Sequence, residues 1–230
     1  MKPLMRAWRW ARWPVGILVL AYIALVLYRI PAVGEKERTK DAVAYIHAQK
    51  ITLSDVMGSN LPPPPNKQEN DATVEGVDVN NNGVRDDVEL AIFEKYPDSP
   101  SVRAAQLQYA MALQMELTKV FNSETWKVAV EQENRGYFCI SNGVNSSLPK
   151  FDDLQKLSDW LKIEENANLF NTENQRVSKI IDAYTEEIKT LVLNTEKRKN
   201  HYEAVYGYMV SYGDVQEKSH CDVEPILLSN

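Results

Sequence analysis

Cysteine is almost missing from this chain of 230 residues: there are two, Cys139 and Cys221. Neither lies in a C-x-x-C, which excludes a dithiol redox motif, and none follows the apolar N-terminal run, which excludes a lipid-anchored cysteine there. The three histidines, His47, His201 and His220, stand too far apart for a local metal site. There is no H-E-x-x-H, no G-x-S-x-G and no phosphate-cradling glycine loop. Strand patterning of useful length is missing, and so is any internal repeat. Acidic pairs do occur at Asp152-Asp153, Glu164-Glu165 and Glu186-Glu187. Neighbours on a helix point about 100° apart, so these read as solvated faces and caps rather than acid/base dyads.

Acids are also missing from residues 1–34, which carry Lys2, Arg6, Arg9, Arg12 and Arg29. The rest of the chain then holds 21 bases against 32 acids, a net charge of −11. An acidic body of that kind argues against nucleic-acid binding. Inside the basic head, Trp13–Tyr28 is uncharged over 16 residues, flanked by Arg12 and Arg29 and by Trp8 and Trp10. At about 1.5 Å per residue this run covers about 24 Å of a roughly 30 Å bilayer core, and snorkelling flanks extend it. Residues 1–34 therefore read as a transmembrane signal-anchor. The positive-inside rule puts residues 1–12 in the cytoplasm and the body in the periplasm or outside. The alternative is a signal peptide cleaved near Ala32-Val33-Gly34, leaving a soluble periplasmic or secreted body.

One stretch fits a chemistry better than it fits packing. Asp78–Glu89 matches the twelve-residue pattern D-x-[DN]-x-[DN]-G-x5-E. Calcium takes six to eight oxygens at roughly 2.3–2.6 Å, so a tightly coiled loop must turn alternate residues inward. Asp78, Asn80 and Asn82 supply side-chain oxygens, Gly83 the sharp turn, Val84 a backbone carbonyl, Asp86 a direct or water-mediated oxygen, and Glu89 a bidentate carboxylate. With three carboxylates and two neutral Asn, the expected affinity is weak, on the order of 10⁻⁴ M, and the ion structural rather than sensory.

Asn82–Asp87, Asn-Gly-Val-Arg-Asp-Asp, resembles the loop endings of thrombospondin type 3 and dockerin repeats and of single-loop bacterial envelope proteins. The resemblance implies an EF-hand-like calcium loop at Asp78–Glu89 and says nothing of the other elements. Two departures stand out. Position 8, which is aliphatic where two EF-hand loops pair, is Arg85, and no incoming helix is expected because Leu61–Asn66 is a proline run and Lys67–Glu75 is polar.

The remainder reads as an all-α body, a bundle of about five to seven helices. Residues 35–60 form a helical stalk, 61–77 a proline-rich extended linker through Pro62–Pro65, 78–89 the calcium loop and 86–230 the bundle. Helices are expected at Asp86–Tyr96, from Ser99-Pro100 to Phe121, at Glu124–Phe138 behind a Ser123 cap, and at Asp152–Ile163, with Ile140–Pro149 a long loop. Thr172-x-x-Gln175 reads as a capping box that opens the long run ending near Val192. Tyr202, Val205, Tyr206, Met209 and Tyr212 form an aromatic stripe, a core face or a ligand platform. In an exported body Cys139 and Cys221 are expected to pair, closing a loop of about 80 residues and stabilising the body by roughly 4 kcal/mol. Two buried thiols are the alternative. Zinc at His220-Cys221-Asp222 would compete for the same sulfur.

These features suggest a membrane-tethered exported protein that binds one structural Ca²⁺ and acts through a protein partner. An exported enzyme of hydrolase type, its site assembled only in three dimensions, is the competing expectation.

Overall fold

A computed structural model describes residues 2–144, 147–149, 153–210 and 221–223; within the first helix the side chains of residues 2–13, 26, 27 and 30–32 are not described. Nine α-helices are found among these residues: α1 (Lys2–Ala48), α2 (Leu53–Val56), α3 (Lys67–Ala72), α4 (Asp86–Lys95), α5 (Pro100–Lys119), α6 (Ser123–Gly143), α7 (Leu154–Leu161), α8 (Glu164–Val192) and α9 (Glu196–Val205), followed by a 3₁₀ turn at Tyr206–Tyr208. No strand occurs among the described residues, so the fold class is all-α as expected. The chain divides into two units, residues 1–44 and 45–230.

The first unit is the helical stretch of α1. Its described apolar side chains, Val15, Ile17, Leu18, Val19 and Leu20, are exposed. Among the described residues, no helix is long and apolar enough to cross a membrane.

The second unit is built around α5. Ser99-Pro100 starts this helix as the sequence indicates, with proline where its missing N–H costs nothing. Every residue from Arg103 to Leu117 is buried. The apolar stripe Ala105, Tyr109, Ala112, Leu113 and Leu117 therefore describes only one side of a helix enclosed all round. Its neighbours are α2, α4, α6, α8 and α9. Three polar residues on α5, Arg103, Gln108 and Gln114, bond to segments packed around the helix instead of facing solvent. Arg103 donates to the carbonyls of Val56, Tyr96 and Pro97 at 2.6–2.9 Å. Gln114 donates to Glu75 O at 2.7 Å, and Gln108 accepts from Asp222 N at 2.8 Å. Paired like this, buried polar groups fix which loop lies against which turn. α6 packs closely on α5 at Gly136, where a Cβ would come within 2.9 Å of Tyr109 Cα.

Cys139 on α6 and Cys221 are joined by a disulfide, with Cα atoms 5.0 Å apart. Beside it Asp222 accepts from Arg135 Nη2 at 2.9 Å and from Ile51 N at 3.0 Å, tying the segment into the core. The sulfur of Cys221 is thus committed to the bridge and Asp222 to Arg135. His220 and Tyr212 lie outside the described residues.

Several boundaries differ from expectation, each for a local reason. The linker 61–77 is not extended throughout, because Asn66 accepts from the backbone N–H groups of Gln68 and Glu69 and starts the short helix α3. Asn122 rather than Ser123 caps α6, through a reciprocal box with Thr125, and the helix continues to Gly143 into the expected loop. Thr172 sits inside α8: the helix begins eight residues earlier, where Glu164 and Glu165 occupy its first turn and no proline or glycine interrupts the chain. α8 ends at Val192, and Thr195 caps a fresh helix by accepting from Arg198 N.

Candidate metal centre

Asp78–Glu89 joins the chain leaving α3 to the start of α4. Two left-handed residues coil it, Asn81 (φ 56°) and Gly83 (φ 84°). Asparagine and glycine are the residues that adopt this conformation at least cost. A Cβ on residue 83 would also press on Met111 Cγ at 3.1 Å, so the turn is packed against α5 as well as bent.

Successive side-chain oxygens brace the coil. Asp78 Oδ2 accepts from Gly83 N at 3.0 Å, and Asp86 Oδ1 accepts from Val79 N at 3.0 Å. Asn80 Oδ1 and Asn82 Oδ1 accept from the N–H groups two residues on. Asn80 Nδ2 donates to Glu89 Oε2 at 3.0 Å and to Asn60 O. One oxygen of each carboxylate is therefore held by the loop. The second oxygen of each, Asp78 Oδ1, Asp86 Oδ2 and Glu89 Oε1, is buried and has no hydrogen-bond partner. Asp86 and Glu89 are almost wholly buried, and so is Val84.

Carboxylates that each keep one buried oxygen without a donor are costly to ionise. Burial pushes Asp78, Asp86 and Glu89 all above the ordinary carboxylate range, and neighbouring acids add to it. Glu89 rises to about 7, with Asp55 and Asp86 contributing after burial. Oxygen donors, net negative charge and unpaired buried oxygens are the chemistry a hard divalent cation satisfies. Asp78, Asn80, Asn82, Asp86 and Glu89 offer side chains and Val84 its carbonyl, so this donor set fits calcium. Among the described residues no three His, Cys, Asp or Glu side chains form a metal cluster by themselves. The loop's set draws on two asparagines and a backbone carbonyl besides its acids.

Arg85, at the position expected to be aliphatic for loop pairing, does something else. It is 1% exposed and donates to the last carbonyls of α8, Leu191 O at 2.8 Å and Val192 O at 3.0 Å, while also binding Asp87. A cation at a helix C-terminus satisfies both the orphan carbonyls and the dipole. The loop is thus clamped to the bundle in place of a second loop. Arg198, fully buried, sits beside it and binds Asn70 O, Val74 O at 3.1 Å, Asp71 at 3.3 Å and Asn194 Oδ1 at 2.6 Å. Gly76 (φ 69°) leaves room for both: its Cβ would overlap Arg85 Cδ and approach Arg198 Nη2 to 2.9 Å.

A second acidic group, not foreseen as a pair, lies away from the loop. Glu116 on α5 is fully buried against Glu133 on α6, and Glu133 accepts from Tyr109 OH at 3.1 Å with Lys189 Nζ at 3.6 Å. Burial, then the Glu133 charge, raise Glu116 well above its usual range, which favours its neutral form. Its signal was a glutamate standing four residues from Ala112 and Val120 within an apolar stripe. Tyr202 and Tyr206, from the aromatic stripe, share a hydrogen bond between their hydroxyls at 2.8 Å, whereas Met209 is exposed and only Val205 of the described stripe is fully core.

Three cavities bear on function. One of about 140 Å³ adjoins the loop and includes Asp78, Gly83, Tyr45 and Lys119. Another is lined by α5, α6 and α8 around Gln106, and a third is a surface hollow at Glu186–Lys199. None of the three includes Glu116 or Glu133. No family model matches the chain, and no curated protein or solved structure is detectably similar to it.

Proposed function

We propose that the protein is an exported, membrane-tethered helical protein that binds one structural Ca²⁺ at Asp78–Glu89 and acts through a protein partner. The observation that carries the calcium reading is the trio of buried carboxylate oxygens without hydrogen-bond partners, one each from Asp78, Asp86 and Glu89. They belong to the residues at loop positions 1, 9 and 12, where a calcium loop needs oxygen. An ion there links the segment after α3 to α4, while Arg85 already ties the same loop to α8. The role is bracing a surface rather than switching it.

Export is supported by the Cys139–Cys221 bridge, which persists in an oxidising compartment. The tether is supported by the uncharged run Trp13–Tyr28 on α1, by the exposure of its described apolar side chains and by the exclusively basic residues around it. This reading places the protein in the inner membrane with its body outside the cytoplasm; cleavage after the run would release the same body.

The deciding experiment is calorimetric titration of the purified full-length chain with Ca²⁺, with Glu89→Gln alongside. Binding of one ion, lost or much weakened by Glu89→Gln, supports the proposal. Absence of binding at millimolar Ca²⁺ would reduce the loop to a turn. Carbonate washing of membranes tests the tether: full-length protein should stay with the membrane, and a soluble form beginning near residue 35 would overturn it.

The Glu116–Glu133 pair with Tyr109 and Lys189 favours a second reading, an exported hydrolase. It ranks lower because Glu116 is sealed from solvent and none of the three cavities reaches the pair.

A further inference from the structure

Residues 56–66 carry no charge, although the body around them is strongly acidic, and Pro62, Pro63, Pro64 and Pro65 fill the middle of this strip. Proline fixes φ near −65°, and a residue that precedes proline is held to an extended ψ. Leu61, Pro62, Pro63 and Pro64 all precede proline, and no peptide bond here is cis. The segment is therefore a left-handed polyproline II helix with three residues per turn. Exposure follows that period. Pro62 is buried and Pro65 half-buried, Leu61 and Pro64 are exposed, and so are Asn60, Pro63 and Asn66 on the third edge. One edge rests on the body and two stand free.

Both ends of the ridge are fixed. Asn60 O accepts from Asn80 Nδ2 at 3.0 Å, and Asn60 Nδ2 donates to Ser54 Oγ at 3.1 Å. Asn66 caps α3. A Cβ on residue 58 would meet Leu61 Cδ1 at 3.1 Å and Phe93 Cε1 at 2.8 Å, so Leu61 is seated close to α4. A segment held like this has little freedom left to lose on binding.

Its hydrogen-bonding capacity is one-sided. The four prolines have no N–H, and among the described residues none donates to the carbonyls of residues 61–65. An edge strand cannot form its ladder with a segment that only accepts. Indole and phenol side chains suit it, because each joins a flat apolar ring to a single N–H or O–H donor. A groove lined by such rings covers the two free edges and donates to the carbonyls between them.

We propose that residues 61–65 are the docking ridge for a partner domain with an aromatic-lined groove that recognises polyproline II. The proposal rests on the partner reading above, whose chemistry it specifies, and not on the calcium ion. Leu61 and Pro64 enter the groove along one edge and Pro63 along the other.

The probes are a WW domain and a Src-homology-three domain, each titrated into ¹³C-labelled full-length protein. At least one should bind, at a Kd on the order of 0.1 mM, and be displaced by a decaproline peptide. The Cα–Hα signals of Pro63 and Pro64 should shift, and those of Pro62 should not. Pro63→Ala combined with Pro64→Ala should weaken binding at least about tenfold with helix content unchanged. Added salt should change the affinity little, because the strip carries no charge. No binding by either domain at about 5 mM, binding that decaproline does not displace, or equal binding by the double variant would overturn the proposal. So would movement of the Pro63 and Pro64 signals only on self-concentration or only with phosphatidylcholine vesicles, which would assign the ridge to a second copy or to lipid. If the double variant does not fold, the shift map on the unmutated chain decides. A membrane protein captured equally by the double variant and the unmutated chain would keep the partner reading and remove this ridge from it.

Discussion

Arg85 and Asp86 are neighbours in sequence and both are almost fully buried, yet their surroundings are opposite. On the arginine side, Arg85 and Arg198 meet backbone carbonyls and the carboxylates of Asp87 and Asp71. On the acid side, Asp78, Asp86 and Glu89 each keep a buried oxygen that no protein donor reaches. Burial alone thus says little about what a charged residue is for. A buried charge whose partners are all protein is part of the architecture, whereas a buried charge with unpaired capacity points to a group from outside.

The largest effect should come from the arginine side. Arg198→Met keeps much of the volume but leaves the carbonyls of Asn70 and Val74 and the side chains of Asp71 and Asn194 without their donor. Breaking a buried charged network in this way costs about 3–5 kcal/mol. Urea unfolding should show that loss, and saturating Ca²⁺ should not restore it, because the ion bonds none of the freed groups. A loss below about 1 kcal/mol would mean the network is not architectural.

Next in size is the ion itself. At a Kd near 10⁻⁴ M, 10 mM Ca²⁺ should stabilise the native state by about 2.7 kcal/mol, a shift of roughly 5–10 °C in Tm for a chain of this size. Glu89→Gln should remove most of the shift with helix content nearly unchanged. Mg²⁺ should substitute poorly, since it resists dehydration and demands a smaller octahedral shell. A shift as large with Mg²⁺ as with Ca²⁺ would point to screening of the acids rather than coordination.

The two sides also differed in how readily the sequence revealed them. The coil of the loop was legible because its candidate ligands lie within twelve residues, where Gly83 and the bracing Asp78 and Asp86 follow from the spacing. The cysteine pair was legible because only one pairing exists. Arg85 could be seen as a departure at its position, but its partners are carbonyls at Leu191 and Val192, over a hundred residues away. Arg198 carries no local mark, because its partners at Asn70, Asp71 and Val74 lie over 120 residues upstream. At Thr172 a local capping signature permits a helix start, but the unbroken run from Glu164 places the start eight residues upstream. Glu116 and Gln106 left a usable mark, polar residues standing in the apolar stripe of α5. Reading that helix as one-faced hid what the mark meant.

Glu116 offers a third way of meeting burial, a pKa raised so that the neutral form is favoured. Glu133 faces it from α6 and Lys189 from α8, with Tyr109 on its own helix and Tyr202 and Tyr206 further on in the chain. Its pKa is raised in the folded state, so the stability it contributes is fully present below about 4.5 and falls as pH climbs toward the folded value. Glu116→Gln keeps a donor toward Glu133 and cannot ionise. It should flatten the decline in stability as pH rises above about 4.5, in melts followed at several pH values. An unchanged decline would place the titrating group elsewhere.

The smallest effect separates coordination from charge at the loop. Asp55 is buried close enough to raise both Asp78 and Glu89, although it matches no loop position. One of its oxygens, Oδ2, accepts from Thr52 N at 2.8 Å and Thr52 Oγ1 at 2.6 Å in the capping box of α2. Asn at this position retains an acceptor for those bonds and removes one negative charge. If Asp55 acts through space, Asp55→Asn should relieve repulsion in the ion-free loop and make the calcium complex less favourable. The ion-free protein should therefore melt slightly higher, and the Kd for Ca²⁺ should rise about threefold, a Coulomb effect well under that of removing a ligand. Added salt should shrink the difference between Asp55→Asn and the unmutated chain, although only partly for charges this deeply placed. Calorimetric titration at two salt concentrations reads all of this. A loss of affinity as large as that of Glu89→Gln, insensitive to salt, would make Asp55 a ligand in its own right. An affinity unchanged within error would show that its charge is shielded from the loop, and that the twelve residues act alone.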